Sequence, residues 1–237
     1  MIEMVFLDAG ETILRPYPSF AELFARVCRV NGHEVTPEEV SVVREKLAPH
    51  LVDLAHEAGA DPPAMGTSVS AAESRNFWTY LYRRFLAELG ISDDSLAGTL
   101  FTTFSSSASY RLFDDVLDTL DRLLGAGLRL GLISNFETWL QEMLVELEVG
   151  HIFEVTVISG AEGVEKPDPG IYRLALERGG VAARNTVHVG DSEALDVIPA
   201  REAGMHTVLL DRVGRYPDPV GPTITSLQEL PEVVASL

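Results

Sequence analysis

Five short apolar runs punctuate the chain, at residues 4–7, 130–134, 155–159, 186–189 and 206–210. Most end in small or polar residues, as expected of strands buried on both faces. Helical spacing separates the last four. Val116, Leu117, Leu120, Leu123 and Leu124 share one predicted face, with Gly125 and Gly127 closing that helix. Further helices are predicted over residues 138–147, 169–178 and 193–204. Strand–helix alternation of this kind predicts an α/β, Rossmann-like core of three layers around a mostly parallel sheet. In such sheets ligands bind beyond the carboxyl ends of the strands.

A long stretch of different character lies between the first and second runs. Phe20, Leu23, Phe24 and Val27 keep helical spacing, as do Leu47, Leu51 and Leu54, and then Phe77, Leu81 and Phe85. Residues 16–109 therefore read as an inserted all-helical domain, too long for a simple crossover. The core is assigned to residues 1–15 and 110–237. The insertion is expected to cap the sheet's carboxyl edge, with the serine-rich residues 105–109 as a return hinge or a frayed helix end. The rings of Phe77, Trp78, Tyr80, Tyr82 and Phe85 are expected mainly as bundle core, one of them alternatively facing substrate.

Composition narrows the partners. The 237 residues are 46% hydrophobic and 23% charged, an ordinary balance for a globular protein. No apolar run is long enough for a membrane span, and the N-terminus lacks the basic-then-apolar pattern of a secretion signal. Cys28 is the only cysteine, which fits a reducing cytoplasm. A net charge of −18 disfavours nucleic acid as a partner. It leaves room for a small phosphorylated substrate, because a metal and a few donors can reverse the potential inside one pocket. Oligomeric state is not legible. Lysine occurs only at positions 46 and 166, so any mechanism needing one has two candidates.

Four polar sites fall at the ends of four predicted strands: Asp8, Ser134 with Asn135, Lys166 on the loop after the third, and Gly190–Asp191–Ser192 with Asp196 one turn further on. A parallel sheet would bring all four into one small volume. Asp8 and Asp191 are hard oxygen donors suited to Mg²⁺. Ser134 is placed to donate to a phosphoryl oxygen, and Lys166 to neutralise charge on that group and on Asp8. Each also has a bland reading. A strand-ending Asp is often a turn residue or cap, Ser134 is a candidate helix cap, Lys166 a solvated loop residue, and Gly190–Asp191–Ser192 an ordinary turn. His188 is expected to be a packing residue. Arg15 and Arg111, near the hinges, are expected in structural ion pairs.

The order of Asp8, Ser134, Lys166–Pro167 and Gly190–Asp191 with Asp196 resembles the four signature motifs of the haloacid dehalogenase superfamily. The resemblance covers nearly the whole chain, and an insertion just after the first motif resembles the family's first cap class. Ser134–Asn135–Phe136 and residues 188–192 look closest to the haloacid dehalogenase-like hydrolase domain-containing subgroup. The resemblance implies an Asp8 nucleophile and Mg²⁺ held by Asp8, the Gly10 carbonyl and Asp191. It also implies phosphate contacts from Ser134, Asn135 and Lys166, and support from Thr12, Ser192 and Asp196.

One departure matters. Phosphatases of the family carry a second aspartate two residues after the nucleophile, where this chain has Gly10. General acid–base help is worth about 10²–10⁴ in rate. Its loss implies slow turnover or restriction to good leaving groups, unless Glu11 substitutes. The leading expectation is a phosphatase. A weakly active scaffold that binds metal and phosphate and works through a partner is the alternative. A dehalogenase is disfavoured by the intact Gly190–Asp191, and a phosphonate hydrolase by its need for a cap lysine, for which Lys46 is the sole candidate.

Overall fold

The computed structural model describes residues 1–59 and 67–237. The chain divides into two compact units, residues 1–14 with 112–237, and residues 15–111. Residues 60–66 of the predicted insertion lie outside the described residues. In chain order the strands are β1 (Met4–Leu7), β2 (Leu14–Pro16), β3 (Tyr110–Leu112), β4 (Arg129–Ser134), β5 (Val155–Ile158), β6 (Thr186–Gly190), β7 (His206–Leu210) and β8 (Thr223–Ile224).

Among the described residues, six strands form a sheet in the order β5-β4-β1-β6-β7-β8, and every pairing is parallel. The first unit is thus α/β and Rossmann-like. Strand β1 sits between β4 and β6, with Leu7 opposite Leu132 on one side and Val189 on the other. The strand order reverses there, which makes the end of β1 the natural ligand crevice. All four β1 side chains are buried, as a strand covered on both faces requires. The short β2 and β3 pair with each other where the chain passes between the two units. Neither they nor β8 was expected: two or three residues are too few to show a period.

Helices α6 (Val116–Gly125), α7 (Leu140–Glu146), α8 (Ser159–Glu162), α9 (Pro169–Gly179), α10 (Ile198–Glu202) and α11 (Leu230–Ala235) complete this unit, numbered after the five helices of the other. Ile171, Tyr172 and Ala175 of α9 and Ala200 of α10 bury against Met4, Phe6, Ile133 and Val157 of the sheet. Helix α6 corrects one expectation. Val116, Leu120 and Leu123 are buried, but Leu117 and Leu124 are half exposed, at 53% and 42%. They lie one residue on from the true core stripe and so turn away from it.

The predicted helix over residues 193–204 is also interrupted. Residues Glu193–Val197 form a wide π-turn before α10 begins. Pro199 has no N–H to give the Leu195 carbonyl, and the Tyr172 hydroxyl donates to that oxygen instead. Residue 159, expected to end a strand, opens α8.

A second buried network ties the C-terminal segment to the loop after β1. Both oxygens of Asp115 take Arg212, at 2.8 and 3.0 Å, and one also takes Ser226 Oγ at 2.8 Å and the Leu227 amide at 2.9 Å. The same guanidinium donates to the Thr12 carbonyl at 2.9 Å and lies 3.9 Å above the Phe113 ring.

The unit of residues 15–111 holds α1 (Phe20–Val30), α2 (Pro37–Leu47), α3 (Leu51–Glu57), α4 (Ala71–Glu88) and α5 (Asp94–Phe104). Ser19, Thr36, Ser70 and Asp93 cap four of these helices with side-chain oxygens. Phe20, Phe24, Tyr82, Phe85 and Phe104 form an aromatic cluster with centroids about 5–6 Å apart. Phe77, Tyr82 and Phe85 are buried as bundle core, whereas Trp78 and Tyr80 are partly exposed. Lys46 pairs with Glu88 on the surface. Arg111 donates to the Tyr110 carbonyl and lies over the Tyr17 ring, a backbone and ring contact in place of the expected ion pair.

Candidate active site

Asp8 follows β1 directly, and its amide donates to the Val189 carbonyl at 2.8 Å, so sheet pairing fixes the start of the loop. The residue is 6% exposed. Lys166 reaches it from the loop after α8. The buried ammonium lies 2.7 Å from Asp8 Oδ1 and 2.6 Å from Asp196 Oδ1. Asn135, just past β4, holds that loop. Its amide donates to the Lys166 carbonyl at 2.8 Å and its oxygen accepts the Lys166 amide at 2.7 Å. Both ends of the Asn135 side chain are thereby spent on the lysine's main chain.

Asp196 comes from the π-turn after β6. Besides Lys166, it accepts from His188 Nε2 at 3.0 Å and from the Ser192 amide at 3.1 Å. A Cβ at position 190 would overlap the Asp196 carboxyl, so only glycine lets that group pack against the end of β6. Ser192 caps the same turn by accepting the Leu195 amide. His188, taken from sequence as a packing residue, is buried beside the Tyr172 ring and belongs to this hydrogen-bonded group. Its Nδ1 has no hydrogen-bond partner among the described residues.

The electrostatics are uneven. Burial opposes ionisation of Asp196, yet Lys166 and His188 outweigh it and hold the carboxyl far below the usual range. Burial also disfavours the Lys166 ammonium, and Asp196 and Asp8 reverse that, raising its pKa. Asp8 goes the other way. Burial raises it, the lysine lowers it, and the neighbouring Asp196 charge raises it again.

Asp191 lies at the edge of this group. One oxygen each from Asp8, Asp191 and Asp196 fall within 4.8 Å of one another. Burial, then the charges of Asp196 and Asp8, push Asp191 up to about 7, with Glu11 adding to the rise. Its ion-pair partner is Arg215, 3.2 Å away on the loop after β7. Three carboxylates thus share two cations, Lys166 and Arg215.

Ser134 ends β4 and is 1% exposed. Thr12 is fully buried in the loop after Asp8. Gly10 is partly exposed, and a Cβ built on it meets nothing within 4 Å. Glu11 adopts a left-handed backbone, φ 56°, and its charge reaches Asp191. The backbone therefore turns after Gly10, which sequence alone did not show. His188 and Arg215 were the members missed.

A sequence model of the haloacid dehalogenase-like hydrolases matches residues 2–204, the span that carries all four polar sites. The chain belongs to this hydrolase family. The hydrolase is 29% identical to haloacid dehalogenase-like hydrolase domain-containing protein 3 of Danio rerio over 89% of this chain and 86% of that one. It is 31% identical to glyceraldehyde 3-phosphate phosphatase of Methanopyrus kandleri, over 92% and 87%. The fold of the hydrolase is similar to that of the putative HAD-hydrolase YfnB from Bacillus subtilis bound to magnesium, with a TM-score of 0.76 at 18% identity over 98% of both chains. No helix among the described residues is long and apolar enough to cross a membrane.

Proposed function

We propose that this hydrolase is a Mg²⁺-dependent phosphatase acting on a small phosphorylated metabolite, with Asp8 as nucleophile. The observation that carries the reading is the buried Lys166 ammonium, held 2.7 Å from Asp8 and 2.6 Å from Asp196 beside a third carboxylate. An ammonium has three N–H donors. Two are engaged here, and the third serves a phosphoryl oxygen. Ser134 donates to another, while Asn135, Asp196 and His188 keep the lysine in place. The phosphatase relative supports the substrate class.

The donor set fits the cation. Asp191 would hold Mg²⁺ together with Asp8 and the Gly10 carbonyl, since hard oxygens suit this ion and Asp196 is already occupied by three donors. When bound, Mg²⁺ supplies positive charge against the transferring phosphoryl group. Burial, then the charges of Asp196 and Asp8, lift Asp191 to about 7, and a divalent ion would offset that cost of ionising it.

Asp8 Oδ2 attacks phosphorus and the bond to the ester oxygen breaks, its electrons leaving with that oxygen. Water then attacks the phosphorus of the aspartyl-phosphate, releasing inorganic phosphate and restoring the carboxylate. With Gly10 in place of an acid, the leaving oxygen lacks a positioned proton, so good leaving groups are favoured. Gly10 also supports a second reading, a slow scaffold that binds metal and phosphate.

Hydrolysis of p-nitrophenyl phosphate with Mg²⁺ tests the proposal. Weak turnover, lost on chelation and in Asp8→Asn, is expected. Equal rates in wild type and Asp8→Asn contradict the proposal, and Mg²⁺ binding without hydrolysis favours the scaffold.

A further inference from the structure

The loop after β7 is built around one side chain that the reaction above does not use. Asp211 accepts the amides of Arg215 at 2.8 Å and Tyr216 at 3.0 Å, so its carboxylate folds residues 211–216 into a tight turn. The turn is then fastened to the end of β6. Tyr216 Oη donates to the Asp191 carbonyl at 3.4 Å and accepts the Glu193 amide at 3.3 Å, and Glu193 accepts the Val220 amide at 2.7 Å. The backbone beneath Arg215 is therefore held by several hydrogen bonds. The guanidinium is 48% exposed and meets Asp191 through a single N–H at 3.2 Å, leaving most of its donors to solvent.

We propose that Arg215 binds a carboxylate on the substrate, a second anionic group beyond the phosphate. This rests on the phosphatase reading and narrows its substrate class to phosphorylated carboxylic acids. Arg215 pairs with the acidic cluster through Asp191. Arg212, near it in sequence, is committed to Asp115 and Thr12. A planar guanidinium matches a carboxylate through two parallel hydrogen bonds, a better geometry than its single contact with Asp191. Charge selects between anions. Asp191 lies beside the guanidinium and the charge of Glu11 reaches Asp191, so a singly charged carboxylate meets less repulsion than a second phosphate. Part of the substrate selectivity then resides in the core unit itself.

Calorimetric binding of three size-matched phosphonates in Mg²⁺ tests this: propylphosphonate, 3-phosphonopropionate and propane-1,3-bisphosphonate, each against wild type, Arg215→Gln and Arg215→Lys. The carboxylate should tighten binding to wild type by roughly 10- to 100-fold over the propyl compound, the worth of a charge-assisted contact. Arg215→Gln should erase most of that ratio and Arg215→Lys retain part of it. A ratio unchanged by Arg215→Gln, or a larger gain for the bisphosphonate than for the carboxylate, overturns the assignment. Failure of all three ligands to bind wild type overturns the phosphate reading beneath it. The two failures are thus distinguishable, and neither depends on turnover.

Discussion

Asp8 and Asp115 are both buried carboxylates of the same unit, each beside one cation, at 6% and 8% exposure. Their surroundings differ in completeness. Asp115 has both oxygens engaged, by the Arg212 fork, a hydroxyl and a backbone amide. Burial opposes its charge, but Arg212, Ser226 and Leu227 win and its pKa falls. Asp8 takes one hydrogen bond, from a lysine shared with Asp196, and its pKa rises. A carboxylate whose bonds are complete holds the fold together. One left partly unpaired in a buried cluster is poised to bind or react, and the unpaired charge is a cost that function explains.

Substituting the two residues breaks the comparison most sharply. Asp8→Asn should lower turnover by about 10³-fold or more, as loss of a nucleophile does. Its stability should hold or rise, since a buried charge is removed. Asp115→Ala should instead cost about 3 kcal/mol in urea unfolding, because Arg212 is left without its partner. The opposite pattern, with Asp8 carrying stability and Asp115 carrying rate, would reverse the assignment.

Gly10→Asp comes next. A Cβ at that position meets nothing within 4 Å. Turnover of alkyl phosphates should rise by about 10²-fold, at the low end of general-acid help. An unchanged rate would mean that Glu11 or another group already supplies the proton.

The smallest effect is in pH. Asp191 sits near 7 in the folded protein and near 4 when unfolded, so between these values the folded state holds the extra proton. Its contribution to stability is complete below about pH 4 and is lost as pH rises through 7. Asp115, with its lowered pKa, contributes above the unfolded value and loses that as pH falls. In chelator, thermal stability should therefore decline by a few degrees from pH 5 to 8 through Asp191, and Asp191→Asn should flatten the decline. Mg²⁺ should reverse it, because binding requires the ionised carboxylate. A decline that persists in Asp191→Asn would place its source elsewhere.

The parallel strands were legible because burial on both faces leaves continuous apolar runs, as in residues 4–7 and 206–210. Strand β8, the β2–β3 pair and the π-turn were not. The first two are too short to show a period, and the turn depends on a Tyr172 hydroxyl arriving from another helix. Asp8, Lys166 and Asp196 were readable as polar residues at strand ends. His188 was hidden because it lies inside an apolar run and acts sideways, through Asp196. Arg215 is legible only when the loop after β7 folds back across the 24 residues that separate it from Asp191. Asn135 was expected at phosphate, and the side chain holds the Lys166 backbone.

The most direct measurement is covalent capture. The hydrolase turning over p-nitrophenyl phosphate in Mg²⁺ is quenched in acid, digested and analysed by mass spectrometry. A phosphoryl group on Asp8, absent from Asp8→Asn, is the predicted result. Turnover with Asp8 unmodified and the phosphoryl group on another side chain, or on none, would contradict it.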